Sequence, residues 1–417
     1  MRTDHPPAGR LWTRAFILIW QGQLVSTLGD AAYGVALGFW ILQVTGSTAL
    51  MGMLMAASTL PGVLVSPFAG VLVDRSDRKP LIVCMDFIRG TGIVLVAAAA
   101  FSHHIAVWMV FAAGVLLSLC GAVFRPGINA VIPDLVESEK LQNANSLMSI
   151  ASTGSNMIGN VAGGFFFQLL GAPTLFLFNG LSYLFSGSCL CFVGIPKLHP
   201  EKKPDFFRDM MDGFRYMWLQ KGLRYILLMA AVVNFFGFVA ITDFLPFFQR
   251  TPYLGAGCYG VAMACFMGGS MAGFLVSSIV TFPARRRLLY FIGSNALSCF
   301  CLIAAINQVV FAVMVPLIIL GGFFNALVNV MLISAVQATT PAEMRGKVMA
   351  FMGMMTQGLT PFAMALGGVI ADFLPIRLII SACFFITFVL FTPFYFVRSF
   401  GSFIGYETGK QESDRSV

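Results

Sequence analysis

Asp30, Asp86, Arg89 and Asp243 lie inside long apolar stretches of a 417-residue chain in which only 11% of residues are charged. A lone charge in such surroundings costs about 2.5–3.5 kcal/mol even on permissive insertion scales, so it must face water, pair, or change its protonation. Asp30 falls near the middle of the first apolar stretch, close to Gln21, Gln23 and Ser26. It is therefore a candidate proton carrier, or else a structural group hydrogen-bonded to neighbouring Gln or Ser side chains. Asp243 is the second proton-coupling candidate. It sits nearer the end of its stretch, beside Pro246, where gating, substrate contact and helix capping are all open to it. Asp86 and Arg89 are three residues apart, on one face of a helix, and can pair. Pairing relieves the cost of burying either charge, so this reads as a structural or gate-forming ion pair.

Other chemistries lack their residues. An intramembrane hydrolase needs a nucleophile with its base, or a metal cluster, at a shared depth. The four histidines, His5, His103, His104 and His199, all fall outside the centres of the apolar stretches. There is no Gly-x-x-x-x-Gly-Lys-Ser/Thr loop for a nucleotide. The nine cysteines lie almost all within apolar stretches, in no paired or ligand spacing, and read as small packing residues. The expectation is a chain that is not an enzyme and that holds no metal and no cofactor.

The elements that position these charges follow from composition. With 58% hydrophobic residues and a mean hydropathy of +0.84, the chain's solvent is lipid, and only helices of about 20 residues satisfy their own backbone across it. Twelve spans are expected, near residues 14–42, 48–73, 80–101, 105–125, 143–170, 173–195, 223–249, 256–281, 286–306, 309–337, 345–372 and 376–397. With the amino terminus inside, all of the 26 Lys and Arg residues except Arg250, Arg377 and Arg89 gather on one side. That asymmetry places both termini in the cytoplasm of a multi-pass cell-membrane protein. It also accounts for the net charge of +8 without nucleic acid. Four regions result: a six-helix bundle over 1–195, a cytoplasmic linker over 196–222, a second six-helix bundle over 223–397 and a cytoplasmic tail over 398–417. Within the linker, Phe206, Phe207, Met210, Phe214, Met217 and Trp218 recur at helical spacing among charges, as in an amphipathic interfacial helix. The two bundles carry comparable turns, Pro133-Asp134-Leu135 and Pro341-Ala342-Glu343, the mark of an internal repeat.

Between the second and third spans runs Gly70-Val71-Leu72-Val73-Asp74-Arg75-Ser76-Asp77-Arg78-Lys79. A loop this short returns the next helix antiparallel. Its Gly, Asp and Arg stand at the spacing of the signature loop of the major facilitator superfamily, which the chain resembles over nearly its whole length. Gly22-Gln23, Ser26, Leu28-Gly29-Asp30, Thr45-Gly46-Ser47, Phe124-Arg125-Pro126 and Leu141-Gln142-Asn143-Ala144-Asn145-Ser146-Leu147 narrow the likeness. They are similar to the branch that holds macrolide-efflux proteins, other drug:proton antiporters and the enterobactin exporter.

The resemblance implies an all-α fold of twelve transmembrane helices in two pseudo-symmetric bundles. It implies that Gly70, Asp74, Arg75 and Arg78 form a conformational latch, with Gly70 allowing close approach and Asp74 accepting hydrogen bonds from a neighbouring helix end, near Arg345 and Lys347. Gly159-Asn160-Val161-Ala162-Gly163-Gly164 resembles the antiporter motif, with Asn160 where proline is usual, and Gly159, Gly163 and Gly164 are expected to pack against a neighbouring helix. Gln23, Tyr33, Trp40, Asn234 and Phe238, on the first and seventh spans, are expected to line a cavity suited to amphipathic ligands. The implied function is a monomeric secondary active exporter of an amphipathic small molecule of the macrolide or multidrug type. It would work by alternating access with the proton as coupling ion. The alternative is export of an endogenous siderophore or lysophospholipid.

Overall fold

The computed structural model describes residues 12–137, 140–195, 206–280, 283–393 and 398–404, and among them every regular element is a helix. In order these are α1 (Arg14–Thr45), α2 (Thr48–Ala57), α3 (Leu60–Arg75), α4 (Arg78–Phe101), α5 (Val107–Leu135), α6 (Leu141–Cys191), α7 (Phe206–Leu219) and α8 (Lys221–Arg250). They continue as α9 (Ala256–Ile279), α10 (Ala284–Ile306), α11 (Phe311–Thr339), α12 (Ala342–Gly358), α13 (Thr360–Ile370), α14 (Ile376–Phe391) and α15 (Arg398–Ile404). Among the described residues, nine helical stretches are long and apolar enough to cross a membrane.

Local chemistry sets the boundaries. The Thr13 hydroxyl accepts from the Phe16 amide at 3.2 Å and opens α1. Gly46, at φ 69, closes α1 in the left-handed region, and the Ser47 hydroxyl then caps α2 by accepting from Leu50 N at 3.2 Å. One helix stops and the next starts within three residues. The span expected at 48–73 is broken into α2 and α3 just before Pro61, and the span expected at 345–372 into α12 and α13 just before Pro361. In each case proline falls in the first turn of the new helix, where its missing N–H costs nothing. The spans expected at 143–170 and 173–195 form the two limbs of α6, which turns back at Gly171 (φ 76, ψ 175) ahead of Pro173.

The chain divides into two compact units, one comprising Met1–Lys202 with Phe248–Val261, the other Lys203–Phe247 with Ala262–Val417. In the first, α1 is gripped by the α6 hairpin. Along the first limb, a Cβ on Gly159 would lie 2.6 Å from Ala31 Cβ and one on Gly163 2.8 Å from Ala32 Cα, while Ser155 Oγ donates to Leu24 O at 2.9 Å. Along the second limb the order reverses. Ser186 packs on Gly22, Ser182 and Asn179 on Gly29, and Phe176 on Tyr33. The limbs therefore run antiparallel on either side of α1. Elsewhere in this unit, Ser118 Oγ accepts from Gly62 N at 2.9 Å and ties α3 to α5.

The second unit is built on an apolar core. Leu223, Ile226, Phe291, Val348, Phe351, Phe400 and Ile404 are all buried there, together with Met217 of α7. The amphipathic helix read in the linker is thus docked as well as formed. Phe214 lies 5.3 Å from Phe351 between ring centroids, and Lys347 Nζ donates to Asp212 Oδ2 at 3.0 Å.

If the grip on α1 depends on backbone approach, Gly163→Ala should destabilise the purified protein by about 1–3 kcal/mol through overpacking. Gly34→Ala, whose new methyl would meet nothing within 4 Å, should leave the unfolding temperature unchanged or slightly raised. Equal effects of the two substitutions would show that the approach at Gly163 carries no stability.

Candidate functional site

In the first unit, small residues bring α4 as well as α1 onto the second limb of α6. A Cβ on Gly90 would meet Gly180 O at 3.0 Å, one on Gly180 would meet Val94 N at 2.9 Å, and one on Gly187 would meet Asp86 Cβ at 3.2 Å. The limb then presents Asn179, Ser182, Tyr183 and Ser186, all buried, over two turns of helix. A polar stripe inside an apolar bundle needs partners, and α1 and α4 supply them.

Asp86 and Arg89 form the expected ion pair, fully buried on the Asp86 side and 6% exposed on the Arg89 side. The guanidinium carbon of Arg89 lies 4.2 Å from the ring centroid of Phe124 on α5 and 4.3 Å from that of Tyr183. Two aromatic rings therefore meet the cation, and a desolvated cation gains most from such contacts. The Tyr183 hydroxyl donates to Asp30 Oδ1. Ser186 is close to Asp86 and Asn179 to Asp30. One basic and two acidic groups from two helices are thus joined through a single tyrosine on a third.

Asp30 itself is exposed. It shares a face of α1 with Gln23, Thr27 and Gly34, none of them buried, at the spacing of successive turns. The opposite side of α1 is the packed one. Tyr33 and Trp40, expected to line a cavity, are 5% and 8% exposed and pack on Phe176 at 5.1 and 6.4 Å. They pack in the core between α1 and the second limb of α6, the limb that also carries Tyr183 against Asp30. Gln23, Asn234 and Phe238 are half-buried. Asp243 is fully buried on α8, one turn before Pro246, a residue that cannot donate to the carbonyl of Thr242.

At the loop between α3 and α4, Arg78 donates to Ala130 O at 2.9 Å and to Asp134 Oδ2 at 2.7 Å, while Lys79 donates to Cys191 O at 2.8 Å. These cations meet the carboxyl-terminal ends of α5 and α6, where unsatisfied carbonyls and the helix dipole favour them. The Gly70 position is open, since a Cβ there would meet nothing within 4 Å. Among the described residues no atom makes the close approach expected at Gly70. Its neighbours Ala69 and Val73 make the contact instead, packing on Val123. The side chains of Asp74 and Arg75 lie outside the described residues. Lys347, expected near Asp74, pairs with Asp212.

In the motif on α6, Gly164 abuts the backbone of Ala256, and Gly260 abuts that of Asn160. Asn160 donates its side-chain amide to Asn156 O at 2.7 Å, so the helix continues where a proline would have bent it. Beyond it, the Gln168 side chain, with its amide oxygen turned toward α9, accepts from Ala256 N and Gly257 N, both at 3.2 Å. No group of three or more metal-ligating side chains occurs among the described residues.

Sequence reading places Phe124 only in a family motif, without its contact to Arg89, and does not find the Asn179–Ser186 stripe. The stripe carries a signal, since four polar or hydroxylated residues at one helical spacing in a span mark a face turned away from lipid. The contact of Phe124 with Arg89 carries none, since nothing in the spacing sets it apart among 42 phenylalanines.

Comparison with known proteins places this arrangement. The chain is 26% identical over 282 residues to macrolide efflux protein A of Streptococcus pyogenes, covering 67% of this chain and 69% of that one. It is 25% identical over 391 residues to the staphyloferrin A transporter of Staphylococcus aureus, covering 89% and 93% respectively. The fold is like that of a bacterial homologue of the iron transporter ferroportin, with a TM-score of 0.70 at 15% identity over 92% of this chain and 99% of that one. The family model of the Major Facilitator Superfamily matches residues 19–357. A match over that much of an all-helical, multi-pass membrane chain settles its lineage: it is a member of the Major Facilitator Superfamily of transporters.

Proposed function

We propose that the chain is a secondary active exporter that expels amphipathic small molecules of the macrolide or multidrug kind in exchange for inward-moving protons, by alternating access. The observation that carries the reading is the polar face of α1, where Asp30 stands exposed among Gln23, Thr27 and Gly34. A face turned to lipid would be apolar. A carboxylate there marks a water-filled path through the protein. Asp30 is then the proton carrier, with Asp243 as a second coupling or gating group and Gln23, Asn234 and Phe238 as ligand contacts. The Asp86–Arg89 pair acts as a gate-forming element, and the loop from Gly70 to Arg78 as the conformational latch. The likeness to macrolide efflux protein A supports a drug-like substrate.

The reading extends to topology. The chain works as a monomer in the cell membrane, and the one-sided distribution of Lys and Arg supports a cytoplasmic position for both termini. Residues 196–222 connect two bundles of six spans each, over 1–195 and 223–397, and the cytoplasmic tail over 398–417 opens with α15, whose Phe400 and Ile404 pack into the core of the second unit.

A second substrate reading, a siderophore, is favoured by the longer match to the staphyloferrin A transporter. A thermal-shift screen of the purified protein against macrolides, tetracyclines, siderophores and lysophospholipids separates the two. Stabilisation by siderophores alone would replace the drug reading.

In vesicles with an imposed proton gradient, Asp30→Asn is expected to abolish accumulation of the macrolide against its gradient while leaving its binding intact. Undiminished uphill transport by that variant would remove Asp30 as carrier. For the ion pair, Asp86→Asn alone is expected to cost about 3–5 kcal/mol, because it strands a buried cation, whereas replacing both partners by apolar residues should cost far less. Additive losses in chemical denaturation would contradict a paired role.

A further inference from the structure

Arg89 meets one carboxylate directly and the other by way of a tyrosine. Its guanidinium pairs with Asp86, and the Tyr183 ring against which it lies, at 4.3 Å, carries the hydroxyl that donates to Asp30. Tyr183 is buried and so is Arg89, so water does not stand in for either partner. The charged or titratable groups within electrostatic reach of Asp30 are Arg89 and Asp86 on α4, Arg125 on α5, Tyr183 on α6 and Tyr33 on α1. Of these, Tyr183 is the one hydrogen-bonded to Asp30 and also in ring contact with Arg89.

We infer that Tyr183 is a positioning residue, which ties the protonation of Asp30 to the placement of Arg89 between Asp86 and the rings of Tyr183 and Phe124. The inference rests on the proton-carrier reading of Asp30. The step is simple in its balance. A proton from hydronium forms an O–H bond on the Asp30 carboxylate and leaves water, and the charge of Asp30, Asp86 and Arg89 together goes from one net negative to zero. The Tyr183 hydroxyl then donates to a neutral acid in place of an anion, a weaker bond. Its ring is released to move, and with it the face on which the Arg89 cation rests. Arg89 consequently loses the attraction of the Asp30 anion and is held by Asp86 alone of the two carboxylates. A local protonation on α1 is in this way felt by α4, although no bond joins Asp30 to that helix directly.

The test uses full-length protein in lipid vesicles, with the proton itself as the probe. Infrared difference spectra between acidic and alkaline buffer should contain a carboxylic acid band that disappears in Asp30→Asn and is displaced, in frequency and in pH profile, in Tyr183→Phe. The phenylalanine keeps the ring under Arg89 and loses the hydroxyl. An Asp30 band with the same frequency and pH profile in Tyr183→Phe overturns the inference and leaves the carrier reading standing. A spectrum with no band assignable to Asp30 overturns the carrier reading itself. Should Tyr183→Phe fail to fold, 3-fluorotyrosine placed at position 183 of the otherwise native chain gives the second measurement. Its fluorine resonance should move with pH and stay fixed in an Asp30→Asn background. A resonance that ignores pH in the native background overturns the inference equally.

Discussion

Helices in a bilayer gain nothing by hiding apolar side chains from lipid tails, so their association depends on how closely their backbones can meet. Here that condition is met at a few small residues. Gly159 and Gly163 on one limb of α6, and Gly22 and Gly29 of α1 facing the other limb, let the hairpin close on α1. Gly90 and Gly180 bring α4 against the second limb in the same way. The polar groups of the first unit meet only because these approaches have been made. A methyl group at Gly90 or Gly180 would push apart the surfaces that carry Arg89 and Tyr183.

Once brought together, those groups solve a problem that none solves alone. A buried arginine is costly to desolvate, and a single carboxylate repays that cost only with further contacts. Arg89 has Asp86 as counter-ion and the rings of Phe124 and Tyr183 beside its guanidinium. The described core of the second unit gathers Phe291, Phe351, Phe400 and their apolar neighbours. Charge enters the unit at Lys347, which reaches Asp212 on α7, and at Asp243, buried on α8. Each unit therefore combines an apolar core with buried polar groups, but the described ion pair with both partners buried is in the first.

The distribution of helices was legible because lipid leaves so little choice. Long apolar runs must be helical and the turn near Gly171 is visible between two of them, whereas the breaks before Pro61 and Pro361 fall inside runs that read as single spans. The Asp86–Arg89 pair was legible from spacing alone. Which face of a span meets which neighbour was not. In a soluble helix a polar side marks solvent, but both sides of α1 around Tyr33 and Trp40 are apolar, and the face that packs on Phe176 looks like the face that would not. Hence the sequence does not distinguish a cavity-lining position for those two aromatics from the packed position they hold against Phe176. Gly70 illustrates the converse. A glycine in a recognised motif suggests close approach, yet the contact there is made by Ala69 and Val73. Tyr183 escaped notice because its significance comes from partners more than ninety residues away, and spacing along one helix does not reveal these.

The core of the second unit has a bearing on how the protein is made. Phe400 and Ile404 are fully buried among residues of α7, α8, α10, α11 and α12. Yet α15, which carries them, is translated after every one of those helices. The ribosome delivers domains in chain order, and each can close only when its last contributing segment has emerged. Until then the apolar surfaces of Phe291, Val348 and Met217 await their final neighbours. The second unit therefore passes through synthesis with an open core, a window in which quality-control proteases and chaperones can tell an unfinished chain from a finished one.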